Sequence, residues 1–184
     1  MPLDAVADRL QQGISQMDDR QRRRFARDCV ERAFEGERGK GRDPGMIAQD
    51  ALDWATDETA TPDELAEALD GIEHLPADAA RRAVSNRHLG AMGHRQGCSR
   101  SAARTTAKGA LAAMAGDADT AAREAAAAIA AQASEEIATD DPESWAEPQV
   151  ALVAAAGVDA WLAERAWQFA HAAETLREGR AKEG

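Results

Sequence analysis

Alanine limits what this chain can become. It supplies 45 of the 184 residues. Leu, Ile, Val and Phe together fall below the ~20% at which high net charge begins to favour disorder. Either the chain stays partly disordered, or it forms helices that meet through small alanine faces. The second outcome is favoured, because alanine has the highest helix propensity and disordered chains carry more Pro, Ser and Gln. The core of such a protein is thin. A buried Leu or Phe contributes roughly 1.5–3 kcal/mol, and an alanine far less. Close backbone approach or a partner must supply the rest.

Strand signals are nearly absent, and helical spacing recurs. Leu3, Val6, Leu10, Ile14 and Met17 mark a first helix that is expected to be peripheral. Asp18 or Asp19 caps a second, with Phe25, Ala26, Cys29, Val30, Ala33 and Phe34 along its apolar face and Gly36 as its stop. The spacing predicts further helices after Asp43-Pro44, after the capping box Thr61-Pro62-Asp63-Glu64, and after Pro76. The Gly90–Cys98 stretch reads as a loop or a very close helix. Helix resumes near Ser99 or Ser101 and runs to Gly116. Asp117 or Asp119 then caps a long alanine helix ended by Asp140-Asp141-Pro142. A last helix is expected from about Val158 to Arg177, with Trp161, Leu162, Arg165, Ala166, Phe169, Ala173 and Leu176 as its core stripe. The expectation is one all-α domain over 1–184, an antiparallel multi-helix array of about seven or eight helices with an alanine-rich core and a frayed tail at 179–184.

Charge is strongly segregated. Asp43 to Ala80 carries eleven acids and no Lys or Arg; Arg81 to Gly116 carries seven bases and no acid. Arg20 to Arg42 is basic, and Asp117 to Glu147 holds nine acids against Arg123 alone. Within a net charge of −11, blocks of one sign must find counter-charge inside the molecule, in a partner or in salt. Pairing of the 43–80 and 81–116 blocks is the default expectation.

Two surfaces stand out as contact candidates. Arg95, Ser99, Arg100, Ser101, Arg104 and Lys108 place hydroxyls and cations at an expected helix N-terminus, where free N–H groups and the dipole favour an anion or an acidic partner. Glu135, Glu136, Asp140, Asp141 and Glu143 offer carboxylates to a basic partner, such as a toxin or a nucleic-acid-binding protein. Nucleic acid itself is disfavoured by the overall charge and by the lack of aromatics among the basic residues.

Other chemistry is weakly signalled. His94 and Cys98 share i, i+4 spacing, but two ligands do not make a metal site, and no metal or cofactor is expected. Cys29, on an apolar face, reads as a buried thiol; Cys98, among Arg95 and Arg100, has the more activating surroundings. The start MPLDAVADRL resembles no signal peptide, and no apolar run reaches the ~18 residues of a membrane span. A soluble, cytoplasmic protein is expected, with no membrane partner.

The segment Phe25-Ala26-Arg27-Asp28-Cys29-Val30-Glu31 resembles the opening helix of immunity proteins from bacterial polymorphic-toxin systems, an alanine-rich helical family with a Phe/Trp-Ala-x-Asp-Cys-x-Glu pattern. Ile47 to Ala55 and Thr61 to Ala68 are similar to that family's second and third helices. The basic segment 95–108 departs from the histidine- and alanine-rich stretch found there. The resemblance implies a non-enzymatic binding protein that neutralises a toxin, with no catalytic residues to carry over. The residues leave three classes open: a stoichiometric interaction protein, an assembly subunit or homo-oligomer, and a small-anion or phosphate binder using Ser99–Lys108.

Overall fold

The computed structural model describes residues 3–38, 95–139 and 147–182, all built from helices and their connections. Five helices occupy them: α1 Leu3–Ser15, α2 Asp19–Glu35, α3 Arg95–Met114, α4 Ala118–Ile137 and α5 Glu147–Lys182. The helices expected around 43–58, 61–72 and 76–91 lie outside the described residues, as does the acidic block from Asp43 to Ala80.

Local chemistry sets the helix ends. Asp18 caps α2 through a reciprocal box: its carboxylate accepts from Gln21 N at 2.7 Å, and Gln21 Oε1 accepts from Asp18 N at 2.9 Å. Gly36 is the C-cap of α2 with an ordinary right-handed backbone, so close approach is what favours glycine there; a Cβ would run into the Gln132 amide. At the end of α3, Gly116 has φ +77°, and the paired bonds Asp117 N to Ala112 O and Gly116 N to Ala113 O complete a Schellman motif. Asp117 then caps α4 by accepting from Thr120 N at 3.0 Å. Three residues therefore stop one helix and start the next.

The core is alanine in fact as well as in composition. Ala121, Ala122, Ala125, Ala126 and Ala128 of α4 and Ala102 and Ala110 of α3 are fully buried. Larger side chains come from α2 (Phe25, Val30, Phe34), from α1 (Leu10, Ile14) and from Met17 in the turn between them. Flat alanine faces do not fix how one helix is placed along another. Glutamines supply that register here. Gln21, Gln132, Gln149 and Gln168 donate side-chain N–H groups to the carbonyls of Thr175, Ala33, Ile137 and Ala122, each on a different helix from the donor. Two of these acceptors, Ala33 and Ile137, belong to the last turn of a helix, where backbone carbonyls lack internal partners.

Two expected boundaries change. α3 is already helical at Arg95, so Ser99 and Ser101 lie inside it. α5 is one helix of 36 residues from Glu147 to Lys182, not the segment Val158–Arg177. Pro148 falls in its first turn, where a missing N–H costs nothing. Gly157 does not break it, because glycine is needed for packing at that point: a Cβ would stand 2.6 Å from Ser134 Oγ and 3.3 Å from Ala130 O. α4 and α5 cross there almost backbone to backbone. Gly179 likewise continues the helix, facing the Gln21 amide. No helix among the described residues is long and apolar enough to cross a membrane.

Candidate functional site

α5 is built inside out. Its expected core stripe included Leu162, Ala166, Phe169 and Ala173, and all four are exposed. Leu162 and Phe169 are each 37% exposed, and Leu152 and Val158 are more so. The buried face is largely polar instead, with Val153 and Ala172 as its apolar members and Leu176 of the expected stripe partly buried against the core. Glu164 is 2% exposed and Gln168 fully buried, with Arg165 and Thr175 also buried.

The reason lies in α2. The two helices run antiparallel and are joined by polar contacts along their length. Gln21 reaches Thr175, Arg24 pairs with Glu178 at 2.9 Å, Asp28 with His171 at 2.8 Å, and Arg32 with Glu164 at 3.0 Å. Between the last two pairs runs a stack. The Arg32 guanidinium lies 4.1 Å from the Trp167 ring centroid, Trp167 stacks on His171 at 4.8 Å, and His171 on Phe25 at 5.8 Å. Trp167 is thus a seam residue packed against the core. Facing α4, Gln168 donates to Ala122 O at 2.9 Å and to Glu164 Oε1 at 3.2 Å, and accepts from Arg165 Nη1 at 2.9 Å.

This seam accounts for the motif singled out in the sequence. Phe25 and Asp28 hold His171, Cys29 is buried beneath, and Glu31 lies on the surface 3.8 Å from Arg27. Burial, reinforced by the carboxylates of Glu164 and Asp28, pushes the Cys29 thiol well above its ordinary value. It is an inert packing thiol. Burial also raises the Glu164 carboxyl above the ordinary range, against the opposing pull of Arg32, and lowers Arg165 from its usual value.

The basic candidates on α3 do not converge. Arg95, Arg104 and Lys108 are exposed, and Ser99 and Ser101 half-buried. At 1.5 Å and 100° per residue, Arg95 and Ser99 lie on one side of the helix and Ser101, Arg104 and Lys108 on the other, spread over about 20 Å. Arg100 lies within the same helix. Free N–H groups of a helix N-terminus are not offered to Ser101, Arg104 and Lys108, which lie past the first turn. The neighbouring hydroxyls are committed too: Thr105 Oγ1 donates to Ser101 O at 2.8 Å and Thr106 Oγ1 to Ala102 O at 2.9 Å.

Of the acidic candidates, Glu136 is exposed and Glu135 half-buried at the end of α4. Asp140, Asp141 and Glu143 lie outside the described residues, as do His74, His88 and His94. Among the described residues, no group of three or more His, Cys, Asp or Glu could hold a metal ion. Comparison with known proteins found no matching family model, no similar curated protein and no similar solved structure.

The surface that sequence reading missed is the outer face of α5. From Ala151 to Ala173 twelve positions are exposed, and eleven of them are Ala, Leu, Val or Phe; Asp159 is the exception. Helix-period spacing revealed this stripe but could not say which way it pointed. The available signal was a second stripe at helical spacing on α5, Glu164, Gln168, His171 and Thr175.

Proposed function

We propose that the chain is a non-enzymatic protein-interaction protein, acting by stoichiometric binding in the manner of an immunity or inhibitor protein. The observation that carries this reading is the outer face of α5. Exposed large apolar side chains scattered singly need no explanation, but a continuous uncharged stripe on a rigid helix marks an interaction surface. The seam beneath it spends the charges of α5 inward, which leaves the apolar side for contact. The resemblance of the Phe25–Glu31 segment to immunity proteins supports the same class of function.

Co-expression with the product of the adjacent gene, followed by light scattering of the purified complex, tests this reading. A one-to-one complex lost in Leu162→Glu, with helical content unchanged, is the expected result. A complex of equal affinity in both proteins would refute the assignment of the face.

A further inference from the structure

Glu164 is a buried carboxylate whose bonded neighbours are all donors. It is 2% exposed, at the junction of α2, α4 and α5. One oxygen accepts from Arg32 Nε at 3.0 Å and the other from Gln168 Nε2 at 3.2 Å. The Gln168 amide is fully used. Its second N–H goes to Ala122 O of α4 at 2.9 Å, and its carbonyl accepts from Arg165 Nη1 at 2.9 Å. Arg32 is held less firmly. Its side chain is 45% exposed, and its guanidinium lies over the Trp167 ring at 4.1 Å.

We propose that Glu164 is a proton-operated catch in the α2–α5 seam: when its carboxylate takes a proton from water, Arg32 is released from both Glu164 and the face of Trp167. Hydrogen-bond capacity decides which contact breaks. An ionised carboxylate only accepts, which suits its two neighbours, whereas a neutral carboxyl brings an O–H of its own. That hydrogen has no acceptor among these partners. Presenting Gln168 Oε1 to it would turn the amide, break the bond to Ala122 and set Gln168 Nε2 against Arg165 Nη1. The bond to Arg32 gives way instead. Neutralising the carboxyl removes most of its attraction, and water replaces it on a guanidinium that is already half in solvent. The links from Gln168 to Ala122 and from His171 to Asp28 stay in place, so the seam loosens at one turn only.

Burial brings the catch into mildly acid pH. A carboxylate shut away from water is disfavoured, and Glu164 is raised despite the pull of Arg32. The titratable and charged groups around it are Arg32, Cys29 and, one turn further along, Asp28 on α2, and Arg165 on α5 itself. From α4, Asp119 and Arg123 pair with each other at 3.2 Å and act on Arg165. α1 meets α5 about two turns further on, where Gly13 faces Ala172. His171 also stacks on Trp167, at 4.8 Å, so its titration must be told apart from that of Glu164. None of this depends on what covers the outer face of α5.

The test follows two NMR signals of the whole protein through one pH titration: the carboxyl carbon of Glu164 and the indole N–H of Trp167, assigned with Glu164→Gln and Trp167→Phe. The expected result is one shared midpoint, above the ~4.3 of an exposed glutamate. Glu164→Gln carries an N–H donor in place of the acid proton, so its Trp167 signal should stay at the wild-type low-pH position throughout. His171→Asn should leave the shared step in place. A Trp167 signal that stays still while the Glu164 carboxyl titrates would overturn the proposal, as would a carboxyl midpoint at or below ~4.3. A Trp167 step that survives in Glu164→Gln, or vanishes in His171→Asn, belongs to His171 and overturns it equally. The wild-type titration decides the coupling even if a variant fails to fold.

Discussion

Removing the Arg32 charge probes the α2–α5 seam most directly. Glu164 is 2% exposed; one carboxylate oxygen accepts from Arg32 Nε at 3.0 Å and the other from Gln168 Nε2 at 3.2 Å. Arg32→Met deletes the charge and keeps an unbranched stem beside Trp167. Breaking a buried pair costs about 3–5 kcal/mol when the remaining charge has no escape. Glu164 has one, because it can take up a proton. Starting from an unfolded value of about 4.3, holding the carboxyl neutral costs ~1.4 kcal/mol per pH unit, hence about 3.7 kcal/mol at pH 7 and about 1 kcal/mol at pH 5. Those figures cap the charge contribution at each pH. The Arg32 side chain is 45% exposed, so water already screens the pair, and a loss of about 2 kcal/mol is expected at pH 7. Urea unfolding of both proteins at the two pH values measures it. The loss at pH 5 should be no more than about half that at pH 7. Equal losses would refute the argument, since Glu164 would then not be the group responding.

Glu164→Gln gives the complementary result. A carboxyl raised in the folded state contributes stability that is fully present below its unfolded value and lost as pH rises through its folded value. Wild-type stability should carry that decline above about pH 4.3, and the Gln variant should lack it. Asp18→Ala removes the carboxylate half of the capping box, the acceptor for Gln21 N, and should cost about 1 kcal/mol in urea unfolding, with α2 intact. Gly116→Ala has open space around it but a left-handed backbone, so a loss of about 1 kcal/mol is expected from conformation alone. Thiol titration of the native protein should show Cys98, half-buried, reacting well before Cys29, and both reacting in urea.

How much of this was legible depended on side-chain size. The face of α2 could be read in full, because Phe25, Val30 and Phe34 recur at helical spacing and nothing competes with them. Asp18 and Asp117 were legible as caps because capping is local chemistry. α5 misled the reading. Alanine is indifferent to which side it faces, so Leu162 and Phe169 dominated the pattern and pointed the wrong way. What turns the helix is a set of bonds to α2 and α4, from Gln168 to Ala122, from Glu164 to Arg32 and from His171 to Asp28. Those partners are 46, 132 and 143 residues away, beyond the reach of any periodicity. Gly157, just before the expected helix start at Val158, lies inside α5 for a related reason, since the space it provides is used by Ser134 on another helix.

The alanine interior of α3 and α4 has a thermal consequence. An alanine side chain has no rotamers to lose, so ordering it on folding carries no side-chain entropy cost. It also hides little hydrocarbon from water. The heat-capacity increment on unfolding scales with the apolar area exposed, and here it should fall below the ~12–15 cal/mol/K per residue of ordinary proteins. A smaller increment flattens the dome of stability against temperature. A protein with this interior keeps nearly the same modest stability across a wide range of temperatures, without the sharp optimum that a leucine-filled core imposes.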